Sequence, residues 1–112
     1  AEMAVPAVNI VIEQGTDYQE VFTVNNPDGS PLDLTGHTGV AKIRKFPESA
    51  SSTSFNVGIV STAGQVVVSL ANTVTDDLKA GRYYYDVIII SSQQKKTKIV
   101  DGMVLVNASE SI

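Results

Sequence analysis

Apolar and polar residues alternate along most of this chain, in short segments separated by turn-forming residues. Val66, Val68 and Leu70 share one face of the segment Gln65–Ala71, and the same period of two recurs in Asp17–Val24. Such alternation places successive side chains on opposite faces of a strand. Because many short strands at close spacing are typical of sandwiches and barrels, the sequence predicts an all-β fold.

We predict a two-sheet antiparallel β-sandwich of seven or eight strands, with at most one short helical turn. The predicted strands are Val8–Ile12, Asp17–Val24, Gly39–Phe46, Ser54–Val60, Gln65–Ala71, Arg82–Ile90 and Thr97–Val106. The predicted core consists of Phe22, Ile43, Phe55, Val57, Val66, Val68, Leu70, Tyr83, Tyr85, Val87 and Ile89.

Two local features interrupt this pattern. Thr75 is predicted to be the N-cap of the helical turn, with Asp76 and Asp77 at its positive end and Gly81 as its left-handed stop. Asp101-Gly102 predicts a β-bulge in the last strand.

Length and composition limit the classes of protein to consider. A chain of 112 residues with 43% hydrophobic residues suits one domain, residues 1–112, with residues 1–7 and 107–112 as flexible tails or partner-contacting arms. The net charge of −4 argues against nucleic acid as a partner. No apolar stretch approaches the roughly 20 residues of a membrane span, and no signal peptide is expected.

The stretch AGRYYYDVIII (Ala80–Ile90) carries the strongest aromatic signal. On a strand, Tyr83, Tyr85, Val87 and Ile89 share one face, so three consecutive tyrosines cannot form one binding platform. Leu78-x-x-Gly81-x-Tyr83 is similar to the tyrosine corner of Greek-key sandwiches, in which the hydroxyl binds upstream backbone. We therefore predict a structural corner made by Leu78, Gly81 and Tyr83.

The opposite face of this strand carries Tyr84, Ile88 and Ile90, and neighbouring strands add Val40 and Val100 to the predicted outer face. Two explanations remain open. β-Branched residues suit strands wherever they point, or these residues form a protein-contact surface. The terminal segments 4–7 or 108–112 are a competing cover for this face.

Residues with catalytic or ligand-binding chemistry are scarce. His37 is the only histidine and there is no cysteine, so no metal site is expected, and we interpret His37 as a satisfied or exposed loop residue. No nucleophile motif surrounds the serines and no phosphate-binding loop follows a strand. The sequence therefore predicts a protein without catalysis, cofactor, metal or small-molecule substrate.

The order of the segments carries a resemblance to a known group of proteins. Its marks are VNIVIEQGTDY (8–18), a Pro-Asp-Gly turn, PLDLTGHTGVAKIRK (31–45), GQVVVSL (64–70), LKAGRYYYDV (78–87) and IVDGMVLV (99–106). This order resembles small virion structural proteins of cyanophages and, more distantly, the N-terminal domain of siphophage upper baseplate proteins.

The resemblance implies an immunoglobulin-like module without catalysis, located in the virion on tail, baseplate or capsid. Its expected partners are other virion proteins or copies of itself. The alternatives are a carbohydrate- or receptor-binding sandwich, which an exposed aromatic cluster on loops would favour, and a cellular adhesion domain.

Overall fold

The alternating segments form eight strands and one short helix in the part of the chain that the structure describes. The structure is a computed structural model, and it describes residues 7–46 and 52–108. In chain order the elements are β1 (Ile10–Glu13), β2 (Tyr18–Thr23), β3 (Thr38–Arg44), β4 (Thr53–Ser54), β5 (Asn56–Val60), β6 (Gln65–Leu70), α1 (Asn72–Asp77), β7 (Gly81–Ile90) and β8 (Lys96–Asn107). The predicted segment Ser54–Val60 is divided at Phe55, where the chain leaves one sheet and enters the other.

The strands form two sheets. One has the order β1-β8-β7-β3-β4 and the other the order β2-β6-β5. The runs β8-β7-β3 and β2-β6-β5 correspond to the G-F-C and B-E-D strand orders of an immunoglobulin domain. The predicted immunoglobulin-like β-sandwich is therefore confirmed.

One edge departs from the predicted antiparallel arrangement. β1 pairs with β8 in parallel, from Ile10 opposite Val104 to Glu13 opposite Asn107, whereas the other paired strands run antiparallel. Alternation of side chains is the same in both directions, so it does not encode the direction of pairing. Since β1 continues into β2 of the other sheet, no hairpin fixes its direction either.

The interior between the sheets contains most of the predicted core. Ile43, Phe55, Val66, Val68, Leu70, Tyr85, Val87 and Ile89 are buried, while Phe22, Val57 and Tyr83 are partly buried and pack against them. The buried set also includes Ile10, Ile12, Leu34, Ala41, Leu78, Val100, Val104 and Val106. The buried residues thus come from β1, β3, β6, β7 and β8 and from three connections, whereas β2 and β5 contribute partly buried side chains.

The position of Val100 contradicts its predicted place on the outer face, because its side chain is only 2% exposed. Val87 pairs with Val100, but the next residue, Ile88, pairs with Lys98, so Ile99 is the extra residue of a β-bulge. The bulge therefore lies at Ile99 and not at the predicted Asp101-Gly102. It reverses the parity of β8 and turns Val100 toward the core.

The helix begins earlier than predicted. α1 starts at Asn72, and Thr75 lies inside it with 0% exposure, so Thr75 is not the N-cap. Its Oγ1 donates a hydrogen bond of 2.7 Å to the carbonyl of Thr16. The Asn72 N–H donates instead to the Asp17 carboxylate at 2.8 Å, so a distant loop provides the cap that the local sequence does not.

Each predicted tail is shorter than expected, because its residue next to the domain belongs to the sheet. Ala7 forms a parallel bridge with Asp101, and Asn107 is the last residue of β8, opposite Glu13. Residues 1–6 and 109–112 lie outside the described residues, as does most of the terminal cover proposed for the outer face. No helix among the described residues has the length and apolar character needed to cross a membrane.

Candidate protein-contact face

The outer face of the five-stranded sheet is defined here as the side of β1, β8, β7 and β3 that points away from the core. The burial of β7 alternates, with Tyr85, Val87 and Ile89 buried and the residues between them partly exposed. The predicted division of β7 into a core face and an outer face is therefore confirmed. The structure places Val40, Tyr84, Ile88 and Ile90 on the outer face, and it excludes Val100.

One apolar cluster on this face joins β3 and β7. Val40 lies directly opposite Ile88, and Thr38 lies opposite Ile90. Val40 is 37% exposed, whereas both isoleucines are half-buried. Lys98 and Lys96 occupy the facing positions on β8, where their aliphatic stems can cover part of the isoleucine surface. Val40, Ile88 and Ile90 together form the first apolar cluster.

A second apolar cluster lies at the other end of the face, and Tyr84 is the one member of it that the sequence predicted. Tyr84 faces Met103, and Leu105 faces Val11 of β1. All four are exposed, from 37% for Tyr84 and Met103 to 53% for Val11. The apolar alternation in IVDGMVLV (99–106) carried a signal, since both parities of that segment are apolar. Only the register showed which parity points outward.

Charged residues separate the two clusters. Lys42 faces Asp86, which in turn faces Asp101, so two carboxylates lie side by side at the centre of the face. Lys98 forms a salt bridge of 3.7 Å with Asp101. An exposed pair of this kind contributes about 0–1 kcal/mol to stability. The charged residues at the centre therefore add little to stability, but their arrangement can select a partner with complementary charges.

The predicted tyrosine corner is present at the entry to β7. The Tyr83 hydroxyl donates a 2.7 Å hydrogen bond to the carbonyl of Lys79, and Leu78 is buried beside it. Gln14 adds a second tie, since its side-chain amide donates to the Leu78 carbonyl at 2.7 Å. Gly81 is the first residue of β7, with φ +144°, and is not the predicted left-handed helix stop.

Replacement of Tyr83 by phenylalanine should lower the free energy of unfolding by about 1 kcal/mol. The change removes one hydrogen bond, and the half-exposed site lets water reach the Lys79 carbonyl, so the loss stays near the net value of a single bond. Chemical denaturation measures the effect. Tyr84→Phe, whose hydroxyl lies on the outer face, is the matched control and should change stability little; equal losses would contradict the corner.

The interior side of β2 contains a carboxylate near two tyrosines. The Tyr18 hydroxyl donates to the Glu20 carboxylate at 3.5 Å, and the Tyr85 hydroxyl donates to the Val8 carbonyl at 2.6 Å. Burial, followed by the charges of Glu20 and Asp101, raises the pKa of Tyr85 to about 12, and burial with Glu20 also raises the pKa of Tyr18. Both phenols therefore act as neutral donors, Tyr18 within β2 and Tyr85 between β7 and the segment that leads into β1.

No group of three or more metal-binding side chains occurs within the described residues. His37 is half-buried, and its Nδ1 is sheltered from solvent without a hydrogen-bond partner in residues 7–46 and 52–108. His37 thus lies in a loop, as predicted, but it is half-buried and its Nδ1 accepts or donates no hydrogen bond within the described residues. In the Asn25–Pro31 turn, the Ser30 hydroxyl and N–H donate to the Asp28 carboxylate and lower its pKa.

Two concavities mark the surface. The smaller, of about 450 Å³, lies on the outer face and is lined by Arg44, Tyr84, Asp86 and Met103 among others. The larger, of about 740 Å³, lies elsewhere, between β2 and the first half of β8. The larger concavity therefore does not coincide with the candidate contact face.

Aromatic residues do not gather on the described loops. Tyr18, Phe22, Phe55 and Tyr85 contact one another within the sandwich. Tyr84 lies in the middle of a sheet. The exposed aromatic cluster expected of a carbohydrate-binding sandwich is not found in the described part of the chain.

No protein-family model matches this sequence, and no curated protein matches it. The solved structures that resemble the fold include two with a TM-score of 0.44 each. One comes from a study of multimeric cell-adhesive interactions of VGSC beta subunits; it is 11% identical, over 99% of this chain and 99% of that chain. The other is a family 123 glycoside hydrolase from Clostridium perfringens; it is 12% identical, over 96% of this chain and 24% of that chain. The fold assignment rests on the strand order described above.

Proposed function

We propose that this chain is a non-catalytic structural module of a phage virion, part of a tail, baseplate or capsid, that acts through protein–protein contacts. The observation that supports the contact role is the apolar character of both faces of β7 and β8. A strand of this kind belongs where both faces are covered, and the sandwich covers one of them. The virion context rests on the resemblance in segment order.

The outer face has the layout of a specific contact surface. Two apolar clusters provide area whose removal from water contributes about 25 cal/mol per Å². The charged centre between them, in which Lys42 faces Asp86 and Lys98 pairs with Asp101, favours a partner whose charges complement this pattern. Burial of both clusters together would supply part of a standard interface, which buries about 800 Å² per partner. A second copy or another virion protein would meet this layout equally well.

The double substitution Ile88→Thr/Ile90→Thr tests the contact role. Threonine keeps the strand preference but removes apolar area at two central positions of the first cluster. We expect the association constant to fall at least about tenfold, equivalent to about 1.4 kcal/mol, because central apolar contacts each contribute about 1 kcal/mol or more. Analytical ultracentrifugation, alone and with candidate virion proteins, measures the change.

Val60→Thr is the matched control, since Val60 is also exposed on a strand, at 44%, but belongs to β5 of the other sheet. It should leave association unchanged. Thermal unfolding establishes that both variants keep the fold. Association that is unaltered by the double substitution in every mixture would show that the outer face is not the contact.

A further inference from the structure

The larger concavity is an open groove between the two sheets, called here the β2–β8 groove. It has a volume of about 740 Å³, enough for several side chains of another molecule. Its apolar lining comes from both sheets and from the connections between strands, and it includes Phe22, Val24, Leu32, Ile89, Ile99 and Val100. A mainly apolar groove of this size is a candidate binding site.

β2 presents unpaired backbone groups along one side of this groove. It is the last strand of its sheet and pairs only with β6 in the described part of the chain. The Val24 N–H donates to the Gly64 carbonyl at 2.7 Å, so every second residue before Val24 also faces β6. The residues between them, Gln19, Val21 and Thr23, direct their N–H and C=O groups away from β6, and all three are exposed. Such an edge readily accepts a further strand.

The first half of β8 forms the opposite side of the groove. β1 pairs with β8 only from Val104 onward, and a single bridge joins Ala7 to Asp101. Before Asp101, β8 therefore has β7 as its one neighbouring strand among the described residues. Ile99, the extra residue of the bulge, is half-buried and lines the groove together with Val100. A strand added to β2 would therefore find apolar side chains of β8 across the groove.

The charges along the groove differ from those of the chain as a whole. The chain has 12 acidic and 8 basic residues, but none of the described residues that line the groove is Asp or Glu. Lys95 and Lys98 both line it, and Lys98 forms the 3.7 Å salt bridge with Asp101. Lys95 is exposed and has no ion pair within the described ranges. A carboxylate on the occupant is therefore favoured over a cation.

We propose that the β2–β8 groove binds an extended segment of a partner protein, which pairs with the edge of β2 and places a carboxylate near Lys95. Alternate side chains of an extended segment lie on one side, so apolar residues at every second position would pack on Phe22 and Val24. The backbone of the segment would pair with the outward groups of Val21 and its neighbours on β2. This surface is distinct from the outer face, so the inference goes beyond the proposed function and gives the module a second contact.

A capped synthetic peptide with the sequence Glu-Val-Thr-Val-Thr-Val-Glu is the probe for this mode of binding. Its two terminal glutamates place a carboxylate near Lys95 whichever way the peptide runs. We expect a Kd of at most about 1 mM. At saturating peptide, the N–H groups of Gln19, Val21 and Thr23 should exchange at least about fivefold more slowly than in the free protein. Absence of binding, or binding without this protection, would overturn the proposal.

Amide exchange of the protein alone shows whether the edge of β2 is free. The same three N–H groups should exchange about as fast as in an unstructured peptide. Protection that is independent of protein concentration would overturn the proposal, because the edge would already be covered within the chain. Protection that grows with protein concentration would overturn it in favour of a second copy.

Charge reversal at Lys95 tests the place of the carboxylate. Lys95→Glu should weaken binding of the peptide at least about fivefold, and it should strengthen binding of a version with Lys in place of both Glu. Lys79→Glu makes the same charge change at an exposed residue outside the groove. This matched control should change both affinities less than about twofold, because solvent and salt screen distant charges. Thermal unfolding establishes that both variants keep the fold, and equal effects of the two would overturn the assignment of the carboxylate to Lys95.

Discussion

Replacement of Gly64 by alanine should lower the free energy of unfolding by about 3 kcal/mol or more. Gly64 is buried in the turn between β5 and β6, with φ +63°, a region that a side chain disfavours. An added Cβ would lie 2.6 Å from the Val24 carbonyl oxygen and 2.8 Å from that of Leu32. Hydrogen bonds from Val24 N–H to Gly64 and from Leu32 N–H to Val24 fix these backbones, so neither can move aside cheaply.

Gly29→Ala separates the two causes of that loss. Gly29 also has positive φ, at +90°, but an added Cβ there meets nothing within 4 Å. Its replacement should therefore cost only the conformational part, about 1 kcal/mol. Urea denaturation of both variants beside the parent gives the difference. Similar losses at the two sites would mean that the segments around Gly64 yield to the extra methyl group.

The strands and their core faces could be predicted because alternation is a local property of the sequence. In β7, the parity of Tyr85, Val87 and Ile89 identified the buried face before any partner strand was known. The turn chemistry around Gly29 and Gly64 divided the segments at the correct places. Local rules were sufficient wherever a strand is regular and one of its faces is clearly more apolar.

The incorrect predictions concern features that depend on distant parts of the chain. The bulge at Ile99 is visible only in the register of β8 against β7, and it reversed the expected direction of Val100. The start of α1 depends on the Asp17 carboxylate, far away in sequence, and not on a residue at the helix itself. The parallel direction of β1 likewise depends on how the first and last strands meet.

Only part of the candidate contact face could be predicted, because the remaining residues depend on how distant parts of the chain pair. Tyr84, Ile88 and Ile90 follow from parity within one strand, and Val40 follows once β3 is taken as the antiparallel neighbour of β7. Met103 and Leu105 lie beyond the bulge in a segment whose two parities are both apolar, so the sequence alone could not choose between them. Val11 required knowledge that β1 lies beside β8.

Leu34→Ala should lower the free energy of unfolding by about 2–5 kcal/mol, the range for a large-to-small change in a core. Leu34 belongs to neither the predicted strands nor the predicted core, but it is 0% exposed and lies among the core residues between the sheets. Its N–H donates to the Ser61 carbonyl and its carbonyl accepts from His37 N–H, both at 2.9 Å. These bonds hold the backbone in place, so the surroundings cannot close the cavity that alanine leaves.

Leu105→Ala is the matched control for Leu34→Ala, because it removes the same atoms from a leucine that is 46% exposed on the outer face. It should cost less than about 1 kcal/mol of stability, since surface substitutions rarely cost more. If the second apolar cluster takes part in the proposed contact, however, Leu105→Ala should weaken association, whereas Leu34→Ala should leave it intact under conditions where the variant remains folded. Denaturation and sedimentation of both variants therefore separate the two roles of apolar residues in this sandwich. A stability loss at Leu105 equal to that at Leu34 would show that the outer face is already covered within the chain, and would contradict its availability to a partner.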